Sequence, residues 1–144
     1  MEISGGLLEA IRGHGAETYP EECCGALLGS RQGEDVRVER IERLVNAREG
    51  DRRRRYVVAP TEYVRVERLA DREGLSLLGF YHSHPDHPAV PSDYDREHAL
   101  PFFHYLVLAV ADGTPGETAA WILREDRGVF GREDLVSKES GGTP

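Results

Sequence analysis

The chain has no apolar run approaching the roughly 20 residues that a membrane-crossing helix needs. It does not open on a basic stretch followed by an apolar core, and Glu2 stands second. Both absences make the cytoplasm the expected location and argue against a membrane role. Cysteine is scarce: Cys23 and Cys24 are the only two, and they are adjacent. Vicinal cysteines bridge only with strain and build no disulfide framework, so a reducing compartment is expected. In a strand one of them would point into the core and the other toward the opposite face. Excess positive charge is missing as well. The formal net charge is −8, from 26 acidic against 18 basic residues, which argues against a nucleic-acid surface. The only basic block, Arg52 to Arg55, reads as a solvated loop. No internal repeat or low-complexity block appears.

What is present fits one domain with a real core, 144 residues long. Residues 1–136 are assigned to that domain, and 137–144, small and polar, to a flexible C-terminal tail. Ile3, Leu7, Leu8 and Ile11 have helical spacing, so a first helix is expected, ending by Gly13 to Gly15. Cys23 to Leu28 predicts a strand closed by Gly29, and Val36 to Leu44 a second with polar alternation. Tyr56 to Val58 predicts a third short strand, and Thr61 the cap of a second helix. Leu75 to Tyr81 is apolar at nearly every position, as in a central strand covered on both faces. Ser92 to Ala99 predicts a short helix, Tyr105 to Ala111 and Thr118 to Leu123 a hairpin, and Val129-Phe130 a last edge strand. Alternating strands and helices with a hairpin indicate an α/β domain, a mixed sheet between helix layers.

The chemistry gathers at the end of that central strand. His82 and His84 are two residues apart, so in a strand both imidazoles project to one face. Pro85 cannot donate to a sheet ladder, which ends the strand there and puts the pair at its rim. An open edge beside it would let an extended peptide add by main-chain hydrogen bonds. Ser92-Asp93-Tyr94-Asp95 follows after a Pro-rich loop and reads as a capping box at a helix start. A capped helix start is also a good place to fix a ligand, so the two uses of Asp95 are compatible. Two imidazoles and a carboxylate, with a fourth position for water, are the ligand set of a catalytic zinc site.

His-x-His-Pro, six residues, then Ser-x-x-Asp resembles the motif of the JAMM/MPN metalloprotease family, the zinc isopeptidases. The family's upstream glutamate lies in a Glu-x-x-Gly that opens a strand, and Glu22-Cys23-Cys24-Gly25 matches it. The resemblance runs from about Leu7 to Arg124. It implies a curved mixed sheet of the cytidine-deaminase-like kind, with His82, His84 and Asp95 as zinc ligands. It implies further that Glu22 is the catalytic base and that Ser92 donates a hydrogen bond to the oxyanion. The expected activity is hydrolysis after the C-terminal glycine of a ubiquitin-like or sulfur-carrier protein. The short chain looks like the small prokaryotic type.

Three rival readings fit the sequence less well. His82 to His87 also spells His-x-His-x-Asp-His, the pattern of metallo-β-lactamase-type hydrolases. That fold needs further metal histidines far downstream, and none follows His104. Zinc deaminases need His-x-Glu and Pro-Cys-x-x-Cys, which are missing. A non-catalytic scaffold of the same fold would have lost ligands, and all are kept here. His14, remote in sequence, is expected to be exposed. His98 and His104 are expected to be structural or solvated.

Overall fold

The computed structural model describes residues 1–33, 35–53, 55–100, 102–123 and 129–138. The chain opens with a short strand, β1 (Glu2–Ser4), and turns at once into helix α1 (Gly5–Thr18). Ser4 caps the helix by accepting a hydrogen bond from the Leu7 backbone N–H. Ile3 therefore belongs to a strand and not to the helix, and α1 runs past Gly15. Gly15 does not stop the helix. A Cβ there would sit 2.5 Å from Leu108, so the missing side chain lets helix and sheet approach.

Strands β2 (Cys24–Gln32) and β3 (Asp35–Leu44) form an antiparallel hairpin. β2 extends beyond Gly29, and Gly33 takes the turn with φ +65°. Helix α2 (Pro60–Arg72) begins with Ala59 at the cap and Pro60 in its first turn; Thr61 is already inside. Tyr56 to Val58 form no strand. The site strand β4 (Ser76–Pro85) leads through helix α3 (Asp93–His98) to β5 (His104–Ala111), and β6 (Thr114–Leu123) and β7 (Phe130–Glu133) follow. A last strand, β8 (Val136–Lys138), was not legible from its polar residues. It takes Ser137 and Lys138 out of the expected tail, whose remaining residues 139–144 lie outside the described ones.

Among the described residues eight strands form one mixed sheet, ordered β7-β6-β5-β4-β2-β3-β1-β8. β4 is central. It pairs antiparallel with β2 from Ser76 to His82 and parallel with β5 from Gly79 to Pro85, so His84 and Pro85 lie beyond the β2 ladder. β7 and β8 lie at opposite edges of the sheet, yet only Asp134 and Leu135 separate them. A flat sheet of this width would be about 34 Å across, while the link spans at most ~10 Å. The sheet must curl until its edges approach. The Met1 amine confirms this by donating to the Asp134 carbonyl at 2.8 Å.

Each face has its own core. α1 packs over Cys23, Leu27, Leu78, Tyr81, Leu106 and Leu108. α2 packs over Cys24, Ala26, Leu28, Phe80 and Tyr105. The two buried cysteines thus face opposite sides, as expected of strand neighbours. An irregularity in the β2–β4 register between Leu27 and Leu28 shifts the alternation of β4. Leu78 and Tyr81 therefore share the α1 core, while Phe80 belongs to the α2 core. His82 and His84 continue the parity of Phe80, on the α2 side.

Gly25 holds a close contact in the α1 core. A Cβ there would lie 2.1 Å from the Tyr81 ring. Tyr81 shares a 2.7 Å hydrogen bond with Nδ1 of His14, which is buried and not exposed as expected. Burial pushes the His14 pKa down to about 4, so the ring is neutral near pH 7. Gly25→Ala should displace the tyrosine and break that bond, lowering unfolding free energy by about 2 kcal/mol or more. Urea denaturation tests this, and an unchanged midpoint would refute the contact. Among the described residues no helix is long and apolar enough to cross a membrane.

Candidate active site

The site forms where β4 ends and α3 begins. Ser92 caps α3: its Oγ accepts from the Asp95 N–H at 3.1 Å. Oδ2 of Asp95 accepts in return from the Ser92 N–H at 2.9 Å, completing the capping box. The same Oδ2 lies 3.1 Å from His82 Nε2 and 3.0 Å from His84 Nε2, and the two nitrogens are 3.1 Å apart. The sequence-assigned trio therefore converges on one point, and all three residues are buried.

The protonation of His84 decides what this convergence means. Its Nδ1 lies 2.9 Å from the Pro88 carbonyl, which can only accept, so Nδ1 carries the proton. In the neutral ring Nε2 is then a bare lone pair, aimed at a carboxylate oxygen. Two acceptors at 3.0 Å repel unless something positive lies between them. A tetrahedral ion bound at roughly 2.0–2.2 Å holds its ligand atoms about 3.3–3.6 Å apart. The three atoms lie a few tenths of an ångström inside that spacing, so the donor set fits zinc.

Glu22 enters from the segment before β2. Its N–H donates to the Arg52 carbonyl at 2.7 Å, and its own carbonyl accepts from Asn46 Nδ2 at 3.2 Å. The side chain is 3% exposed, and its Oε1 has no hydrogen-bond partner among the described residues. One carboxylate oxygen lies within 4.8 Å of nitrogens of His82 and His84. Burial, with the Asp95 charge adding to it and Arg55 opposing, pushes the Glu22 pKa up to about 9.

Ser83 was not singled out from the sequence. It sits between the two histidines but faces the other way. Its Oγ accepts from the Cys23 N–H at 2.8 Å, and its own N–H donates to the Cys23 carbonyl at 3.2 Å. It thereby clamps the residue after Glu22 to the strand that carries the histidines. A polar residue at an inward position between two site residues was the only signal for it. The sequence predicts a strand at Tyr56, yet its ring stacks on His82, with centroids 4.5 Å apart.

An open groove of about 450 Å³ runs past the site, lined by Glu22, Arg55, His84, His87, Pro88, Val90 and Ser92. His87 thus stands at the site mouth. Asp86 does not join it. Its carboxylate accepts from the Tyr19 hydroxyl at 2.7 Å and from the Asp112 N–H at 2.8 Å. His98 stacks on Tyr94, and buried His104 bonds Glu133 at 2.6 Å. Arg55 lies over the Tyr94 ring, 4.4 Å from its centroid, so this arginine of the basic block faces the site; Arg54 lies outside the described residues.

Comparison with known proteins agrees with this geometry. Residues 5–124 match the family described as prokaryotic homologs of the JAB domain. The chain is 36% identical over 129 residues to a Thermus thermophilus protein named "Probable TtuB-protein conjugate cleaving protease", covering 90% of this chain and 80% of that one. It is 34% identical over 102 residues to a Haloferax volcanii protein named "Desampylase", covering 70% and 71%. A Salinibacter ruber protein of known solution structure is 42% identical, with TM-score 0.75 over 100% of this chain and 95% of that one. The crystal structure of a JAB1/MPN domain protein from Archaeoglobus fulgidus has TM-score 0.60 at 19% identity over 96% of this chain and 100% of that one, a likeness of fold. With its curled mixed sheet, the chain belongs to the small prokaryotic branch of the JAMM/MPN family.

Proposed function

We propose that the chain is a zinc-dependent isopeptidase that cleaves after the C-terminal glycine of a ubiquitin-like or sulfur-carrier protein. The observation that carries this reading is the meeting of two imidazole nitrogens and one carboxylate oxygen beside a buried glutamate whose Oε1 has no hydrogen-bond partner among the described residues. His82, His84 and Asp95 would hold the zinc. Bound there, zinc supplies Lewis-acid activation of water at neutral pH. Glu22 takes a proton from the attacking water and returns it to the leaving amine. Ser92 uses its oxygen to accept from Asp95, which leaves its O–H proton free for the developing oxyanion. The cap and the catalytic hydrogen bond therefore use opposite ends of one hydroxyl. Water adds across the amide, so a glycine carboxylate and a free amine are released.

The substrate class rests on the relatives, whose names record cleavage of TtuB-protein conjugates and desampylase activity. The cytoplasm is the proposed location. The test is a conjugate that joins the Gly-Gly end of a ubiquitin-like carrier to a lysine side chain of a second protein. Mass spectrometry should show cleavage at the glycine–lysine bond, stopped by a chelator and restored by zinc. An intact conjugate, or cleavage that persists without metal, would refute the reading.

A further inference from the structure

The two histidines are supported differently. His84 has the Pro88 carbonyl on its second nitrogen. His82 Nδ1 is buried and has no hydrogen-bond partner among the described residues. A ligating histidine ordinarily donates its second N–H to a carboxylate, carbonyl or water, which fixes the ring. At His82 an aromatic ring takes that place. Tyr56 stacks on the imidazole at 4.5 Å between centroids and 24° between planes. That separation falls at the near end of the ~4.5–7 Å range of stacked pairs.

Tyr56 lies in neither helix nor strand, so its own backbone needs another anchor. Asn46 provides one. Its Nδ2 donates to the Arg55 carbonyl at 3.0 Å, and its Oδ1 accepts from the Val57 N–H at 3.0 Å. One amide thus grips the chain on both sides of Tyr56. Nδ2 also donates to the Glu22 carbonyl at 3.2 Å, and Oδ1 also accepts from the Arg48 N–H at 3.0 Å. Both donors and both acceptor positions of the amide are used. A side chain with its full capacity spent on four backbone groups fixes their relative positions.

Resting on the reading of His82, His84 and Asp95 as zinc ligands, we propose that Asn46 and Tyr56 form one positioning unit. Tyr56 seats the His82 ring, and Asn46 locks Tyr56 to the segment that carries Glu22. Neither residue touches the reacting atoms.

Competition with a chromophoric chelator measures zinc affinity for the full chain and its variants. Tyr56→Phe keeps the ring and should bind within about twofold of wild type. Tyr56→Leu and Asn46→Ala should each bind about 10–100-fold more weakly, the scale of a lost outer partner. The double variant should bind no more than about twofold more weakly than the worse single, because both act through one ring. Cobalt-loaded protein adds a readout that general loosening would not move. The cobalt absorption bands should shift in Tyr56→Leu and Asn46→Ala and match wild type in Tyr56→Phe. Unfolding midpoints of the metal-free proteins identify any variant that fails to fold, and Tyr56→Met, which fills volume without a ring, then replaces Tyr56→Leu. Wild-type affinity and spectrum in the ring-less variant, or losses that multiply in the double variant, would overturn the unit. A wild-type protein that binds no zinc would instead overturn the ligand reading beneath it.

Discussion

Glu22→Gln keeps its zinc and loses at least ~10²-fold in turnover, the usual effect of removing a general base. Glutamine preserves the shape of the side chain but cannot take up a proton. The assigned metal donors, His82, His84 and Asp95, are untouched by the change. The environment of Glu22 also favours a clean result. Its backbone is held by Arg52 and Asn46, not by its carboxylate, so the exchange leaves those bonds intact. Oε1 has no hydrogen-bond partner among the described residues to lose. Zinc content by elemental analysis and turnover on the glycine–lysine conjugate are read on the same preparation. An unchanged rate would require another base. Asp86, the carboxylate that follows the two histidines in sequence, cannot serve, because Tyr19 and Asp112 hold it. Loss of zinc together with activity would place Glu22 among the ligands.

The site was more legible in the sequence than the chain path around it. His82 and His84 are fixed by strand parity, and Asp95 by the capping box, both local rules that tertiary packing left intact. The partners that support them arrive through long-range contacts. Ser83 meets Cys23 across 60 residues, and Asn46 reaches back to the Glu22 carbonyl across 24. No local pattern announces such bonds. Ile3 was misplaced because it keeps helical spacing with Leu7 while hydrogen bonding places it in β1, beside β3 and β8. β8 was missed because a three-residue edge strand with every residue exposed has no apolar face to show. Tyr56 to Val58 have strand-like residues, but an asparagine side chain takes the Val57 N–H that a neighbouring strand would otherwise accept. His14 could not be placed from sequence because its partner, Tyr81, lies 67 residues away. Gly25 was legible only as part of a motif, and the structure supplies its reason, the Tyr81 ring above it.

Replacing His82 or His84 by alanine abolishes hydrolysis and leaves well under one zinc per chain. Each removes one of three donors, and two remaining donors do not close a tetrahedral site. Asp95→Ala should do the same but for two reasons that can be separated. Its Oδ2 both faces the imidazoles and accepts from the Ser92 N–H. Losing that hydrogen bond frays the start of α3 and costs about 1 kcal/mol of stability, apart from any metal effect. Asp95→Asn keeps a neutral oxygen for the cap and removes the negative charge that a bound zinc ion would draw on. The asparagine variant should therefore match wild-type stability in the metal-free state more closely than the alanine variant does, and still fail to retain zinc through dialysis. Metal-free unfolding midpoints test the cap, and metal content after dialysis tests the ligand. Full zinc retention in both histidine variants would remove the metal centre from this site altogether. Retention in Asp95→Asn alone would leave the histidines as ligands and pass the third position to Glu22, whose carboxylate lies within 4.8 Å of both rings' nitrogens.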